Sequence, residues 1–181
     1  MSGHPHGLVN AKQSDSRTFL SSHRALSVRL REFDRLTEAV VREVVALNAN
    51  SGVPDQKPVV RRSPDRCLVQ FGPVALTLAW LRHSLDSAAE GELLVIVWHG
   101  QIASPTGVAS DQTTTACTPV RSATVVWEEV LTAVAVDEPS WVWRPSGTDI
   151  GGFRSTELAE RCVEQLQSAA RAGADAVLGA R

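Results

Sequence analysis

Residues 26–47 have the sequence LSVRLREFDRLTEAVVREVVAL, and this stretch decides the fold. Its apolar positions follow a three–four spacing over three heptads, which predicts a long helix with a narrow apolar stripe. We call this stripe the helix seam, and its members are Leu26, Leu30, Phe33, Thr37, Val40, Val44 and Leu47. The helix is predicted to span about 20–49, with Ser21 or Ser22 as its cap and a segment rich in Asn, Ser, Gly and Pro after it.

Short apolar segments with the composition of strands follow the helix. Gly72–Pro73 separates two of them and predicts a hairpin turn. The run from Leu93 to Trp98 is continuously apolar, which predicts a central strand. For 120–136 a helix is the alternative, because Trp127, Val130, Leu131 and Val134 also fit one helical face. The predicted strands are 59–62, 67–71, 74–81, 93–98, 120–136 and 141–143, with a bulge or bend at Glu128–Glu129.

A second helix is predicted from Ser155, as its cap, to about Gly173. It places Leu158, Cys162, Leu166 and Ala169 on one face. Because sequential strands with short turns favour antiparallel pairing, we predict an α+β fold. A long N-terminal helix and a C-terminal helix cover a mainly antiparallel sheet of five or six strands. Residues 1–17 are predicted to be a flexible tail, and 18–181 a single domain.

Composition limits the classes of partner. A net charge of −2 offers no global field for nucleic acid. The three cysteines, Cys67, Cys117 and Cys162, form no CxxC pair, which predicts free thiols rather than disulfides or a thiolate metal site. The N-terminus lacks the apolar core of a signal peptide, and no apolar run is long enough to span a membrane. We therefore expect a cytoplasmic protein without a membrane partner.

The segment Gly147–Arg154 is the first candidate ligand site. It lies between a predicted strand and a predicted helix, where backbone N–H groups and the helix dipole favour an anion. The candidate residues are Arg144, Asp149, Gly151, Gly152 and Arg154. The segment matches neither GxGxxG nor GxxxxGK, so a plain connecting loop is the alternative.

His99 follows the central strand and precedes the long connection 100–119. We expect it either to line a pocket with that connection and the 147–154 segment, or to be a hydrogen-bonded structural residue. As part of a site, it could act with Asp149 or Glu128 as an acid–base pair. The sequence predicts no catalytic motif, no metal-ligand set and no cofactor.

The tryptophans allow two interpretations. Trp141 and Trp143 share one side of a strand and could stack on a ligand, joined by Trp98 and Trp127. A chain without Tyr also needs large rings to fill its core. We favour the core interpretation.

Charged residues surround the helix seam. Five arginines, Arg24, Arg29, Arg31, Arg35 and Arg42, alternate with acidic residues along the first helix. This pattern is typical of a solvated face with local ion pairs rather than a nucleic-acid surface.

The seam can also pair with its copy in a second chain, although Thr37 weakens such a pair. We therefore predict a non-enzymatic interaction or assembly module that binds itself or another protein, as a homodimer through the first helix or a sheet edge. The predicted partner-binding residues are Leu26, Leu30, Phe33 and Val40. The alternative is a protein or enzyme that binds a small anionic ligand in the pocket around His99.

Overall fold

The computed structural model describes residues 23–50, 57–82, 91–101, 123–137, 140–148 and 151–178. Its elements are α1 (His23–Asn50), β1 (Val59–Ser63), β2 (Arg66–Phe71), β3 (Val74–Arg82), β4 (Gly91–His99), β5 (Thr124–Asp137), β6 (Ser140–Pro145) and α2 (Ser155–Leu178). The predicted α+β class is confirmed, with one helix before and one helix after the strands of an antiparallel sheet in the chain. The predicted tail at 1–17 and the predicted helix start near residue 20 lie outside the described residues.

The six strands form one antiparallel sheet in the order β1-β2-β3-β4-β5-β6. The predicted hairpin is confirmed, since Phe71 pairs with Val74 across the two-residue turn. Gly72 in this turn has a φ of 58°, a left-handed conformation that glycine adopts at little cost because it has no Cβ. The described part of segment 120–136, for which a helix was the alternative, lies in strand β5.

The bulges in β5 are not where the sequence predicted one. Glu128 and Glu129 pair in register with Ile96 and Val95. One register shift instead falls at Val126, and a second lies between Ala135 and Asp137. The acidic pair therefore continues the strand, and its two side chains lie on opposite faces of the sheet.

The start of α2 differs in detail from the prediction that Ser155 is its cap. Ser155 is the first helical residue, and its hydroxyl donates to Glu32 and accepts a hydrogen bond from Trp143 Nε1. Glu157 accepts a hydrogen bond from the backbone N–H of Arg154 at 2.8 Å. Arg154 and Glu157 therefore form one half of a capping box. The helix also continues past the predicted end at Gly173 to Leu178.

The core lies between the two helices and one face of the sheet, which we call the covered face. Phe33, Val40 and Val44 of the seam are buried there. Burying such a side chain stabilises the fold by about 1.5–3 kcal/mol. Packing within one chain is therefore enough to explain the apolar character of the seam. Leu26 at the N-terminal end is 37% exposed, and Leu30 is half-buried.

Two charged residues of α1 are buried and depart from the predicted solvated face, whereas Arg24, Arg31, Arg35 and Arg42 are exposed as predicted. Arg29 is 1% exposed, and its Nη1 donates to Asp65 Oδ1 at 3.1 Å. Its guanidinium also lies 5.3 Å from the centre of the Trp80 ring. Glu32 is buried beside Ser155. Tertiary partners on the β1–β2 turn and on α2 explain this burial, and such partners are invisible to helical periodicity.

Candidate functional site

The face of the sheet opposite the helices is largely apolar. Because side chains alternate along a strand, Leu94, Ile96 and Trp98 of β4 lie on this face. The neighbouring strands add Val59, Leu68, Ala75, Ala79, Leu81, Val125, Val130, Val134 and Val142. We call this surface the open face, because both helices pack on the other side of the sheet.

Several apolar side chains of the open face reach solvent. Val59, Val125 and Leu81 are 48%, 54% and 39% exposed, and Ile96 and Trp98 are half-buried. A solvated face of an antiparallel sheet is normally polar, alternating with an apolar core face. The open face departs from that rule.

Trp98 is the largest side chain of the open face. Its Nε1 donates to Thr77 Oγ1 at 3.1 Å, so its one polar atom is satisfied within the sheet. A Cβ at Gly100 would lie 2.6 Å from the Trp98 ring, which means that the ring occupies the space beside this glycine. Gln70 is buried next to it and donates to the carbonyls of Gly72, Val74 and Gly100. These bonds fix the end of the sheet where Trp98 lies.

Charged residues on the open face are separated by sign. Arg61 and Arg66 lie on β1 and β2, whereas Glu92 and Glu128 lie on β4 and β5. Arg144 on β6 is the exception. The apolar centre therefore has a basic side and an acidic side.

The two edges of the sheet are less suited to binding another strand. Strand β1 has five residues, and Pro58 and Pro64 flank it. At the other edge, Trp143 and Phe153 exchange backbone hydrogen bonds of 2.8 and 2.7 Å. Short strands, prolines and covering segments all limit edge-to-edge pairing.

The core interpretation of the tryptophan pair is confirmed. Trp141 and Trp143 are 2% and 0% exposed and pack with Trp80 at centroid distances of 5.5 to 6.1 Å. Trp127 is half-buried on the same face, with Arg161 5.9 Å from its ring centre. Trp98 does not join this group, because it lies on the open face.

The structure separates His99 from the other described ligand residues, whereas Arg144, Gly152 and Arg154 lie next to the paired residues Trp143 and Phe153. His99 lies on the covered face at the end of β4, where its ring contacts Gly173 of α2. Arg144 lies on the open face in the row of Glu92, which is about 23 Å along the strand from His99. Asp149 and residues 102–119 of the predicted pocket lie outside the described residues.

Arg154 lies at a cleft between α1 and the start of α2. The cleft has a volume of about 610 Å³ and is lined by Glu32, Arg35, Glu38, Ala39, Arg42, Trp141, Val142, Arg154, Ser155 and Thr156. Arg35 is paired with Glu32 and Arg42 with Glu43. Gly151 is exposed beyond the cleft, and a Cβ at Gly152 would collide with Val142.

The described cysteines are poor nucleophiles. Burial raises the pKa of Cys162 to about 12, with a further rise from the charge of Glu129. Burial also raises the pKa of Cys67, against the opposing effect of Arg62. Within the described residues, no three His, Cys, Asp or Glu side chains are placed to hold a metal ion. No helix in the same residues has the length and apolar character to cross a bilayer.

Sequence reasoning did not identify the open face as a site. The available signal was the run LLVIVW at 93–98, where both alternating sets of residues are apolar. That pattern is typical of a strand that is packed on both faces. Comparison of the chain with known protein families, curated proteins and solved structures finds no match.

Proposed function

We propose that the protein is a non-enzymatic interaction module that assembles as a homodimer through the open face. The observation that carries this proposal is the apolar surface around Leu94, Ile96 and Trp98, over which no described element packs. Contiguous apolar patches of more than a few hundred Å² mark interaction sites on soluble proteins. A second protein surface is the simplest cover for such a patch.

The other surfaces considered from the sequence support the proposal less well. The seam residues Phe33 and Val40 are buried in the chain's own core, which leaves Leu26 and Leu30 as the accessible part of the predicted helix interface. The sheet edges are short or covered, as described above. The open face therefore replaces the helix seam as our proposed interface.

The free cysteines support an intracellular site of action. Cys67 and Cys162 are both unpaired and buried, as expected for a protein that folds in a reducing compartment. A cytoplasmic location is part of this proposal.

Sedimentation equilibrium tests the dimer. At about 1 to 100 µM, the wild-type protein should show twice the mass of the 19.5 kDa chain. Ile96→Asp should be monomeric, because each copy would bury an unpaired carboxylate in the interface. Its far-UV circular dichroism should be unchanged. Leu26→Asp, on the exposed end of α1, is the matched control and should remain dimeric.

Two results would contradict the proposal. A wild-type mass of one chain at the highest concentration would exclude the homodimer. Dissociation by Leu26→Asp but not by Ile96→Asp would place the interface on α1 instead.

A second candidate function is the binding of a small anion in the cleft beside Arg154. It is favoured by Arg154 in the lining and by the backbone N–H groups of Ser155 and Thr156 at the start of α2. Isothermal titration with phosphate should give heat that Arg154→Ala removes. Arg171→Ala, exposed on α2, should retain it. Absence of heat from the wild-type protein would refute this function.

A further inference from the structure

The cleft beside Arg154 carries two opposite charges that are not paired with each other. Two ion pairs neutralise the other charges of its lining, Glu32 with Arg35 and Arg42 with Glu43. The remaining charges are the carboxylate of Glu38 and the guanidinium of Arg154, which are both exposed and form no ion pair within the described residues. A cleft with one free charge of each sign is suited to a ligand that also carries one of each.

The start of α2 forms the positive end of the cleft. The helix has 24 residues, and the N–H groups of its first turn have no acceptor within the helix. Glu157 accepts the backbone N–H of Arg154, which leaves the N–H groups of Ser155 and Thr156 beside the guanidinium. A helix N-terminus next to an arginine favours a carboxylate.

Trp141 gives an independent indication of a ligand. Its side chain lines the cleft and is 2% exposed, yet its Nε1 is buried without a hydrogen-bond acceptor in the part of the chain that the structure describes. Trp143 has the same group on the same strand and donates it to Ser155. Because buried indole N–H groups usually have a partner, the unpaired donor of Trp141 indicates an acceptor that the ligand supplies.

We propose that the cleft binds a zwitterion of the α-amino acid class, and this inference rests on the second candidate function, the binding of an anion in the same cleft. The carboxylate of the ligand lies at the start of α2 with Arg154 and accepts the N–H of Trp141. Its ammonium group pairs with Glu38. That residue is about 9 Å farther along α1 than Glu32, and Glu32 contacts Ser155.

The size and the apolar lining of the cleft fit an amino acid with a large apolar side chain. The cleft volume is about 610 Å³, which is within the usual range of about 300–1,000 Å³ for small-molecule pockets. Ala39, Val142 and the ring of Trp141 form the apolar part of the lining. Phenylalanine is therefore a suitable probe. Its analogues 3-phenylpropanoate and phenethylamine lack the ammonium group and the carboxylate, respectively.

Isothermal titration with the three probes tests the recognition of both charges. Phenylalanine should bind about fivefold more tightly than 3-phenylpropanoate, as expected for one ion pair near the surface, and phenethylamine should bind more weakly still. Glu38→Gln should bind phenylalanine and 3-phenylpropanoate equally, because it removes the charge that pairs with the ammonium group. Glu164→Gln, which changes an exposed carboxylate of α2, is the matched control and should keep the fivefold preference.

The indole N–H resonance of Trp141 provides a second measurement. In ¹H–¹⁵N spectra, with the resonance assigned from Trp141→Phe, it should move downfield on saturation with phenylalanine, because the N–H gains an acceptor. The N–H of Trp98 already donates to Thr77 on the open face and should not move.

The outcomes separate this inference from the function on which it rests. Equal binding of phenylalanine and 3-phenylpropanoate by the wild-type protein would overturn the zwitterion and leave the anion site standing. An unmoved Trp141 resonance at saturation would overturn the arrangement in the cleft. No heat from phosphate, 3-phenylpropanoate or phenylalanine would overturn both the inference and the second candidate function.

Discussion

The covered face and the open face are formed by alternate side chains of the same strands, yet they differ in what packs on them. On the covered face, Trp80, Trp141 and Trp143 pack together under two helices. On the open face, Trp98 is half-buried and no described element lies above it. The apolar content of a strand therefore predicts that its side chains are buried, but it does not predict which surface packs on them.

The largest loss of stability is expected from a substitution on the covered face. Phe33→Asp places a carboxylate at a position that is 2% exposed, and removing a buried Phe alone costs about 3–5 kcal/mol. With the added cost of burying the charge, we expect the protein to be unfolded by circular dichroism. Leu26→Asp should change the free energy of unfolding by less than about 1 kcal/mol. Similar losses in both variants would show that α1 does not pack on the sheet as described.

A pair of tryptophan variants compares the two faces directly. Trp143→Ala should lower the free energy of unfolding by about 3–5 kcal/mol, because its ring is fully buried and its Nε1 bonds Ser155. Trp98→Ala should cost less, about 1–2 kcal/mol for a half-buried ring. Urea denaturation of dilute protein gives both values. Equal losses would mean that the open face is closed within one chain.

A pH dependence is expected on the covered face, and it is confined to alkaline pH. The pKa of Cys162 is raised to about 12 by burial, above that of an unfolded thiol. The folded state therefore disfavours the thiolate, and this contribution to stability is complete at neutral pH and is lost as the pH rises from about 9 to 12. Urea denaturation should show a smaller decline with pH for Cys162→Ala than for wild type. Identical declines would contradict the assigned burial.

Much of the fold could be predicted from the sequence, because its signals are local. The seam spacing of α1, the Gly72–Pro73 turn and the continuous apolar run of β4 each identify an element without knowledge of its neighbours. The burial of Arg29 could not be predicted, since its partners Asp65 and Trp80 are distant in sequence. The role of Ser155 was missed for the same reason.

The candidate site was harder to predict than the fold. The sequence analysis grouped His99 with the 147–154 segment because both lie at the ends of predicted elements. A residue at the end of a strand can lie at either end of the sheet, and the sequence alone does not show which. The register separates His99 from Arg144 by the length of β4. Likewise, the open face is assembled from residues of six strands, and only the strand order brings them together.

The most direct test of the account is the solvent accessibility of Trp98 in solution. Protein labelled with 5-fluorotryptophan is exposed to a neutral paramagnetic agent, and ¹⁹F relaxation is measured for wild type and for Ile96→Asp. We expect a larger enhancement at Trp98 in the variant, where the interface is lost, and equal enhancements at buried Trp143 in the two proteins. Equal enhancement at Trp98 in the two proteins would contradict the claim that the open face is the dimer interface.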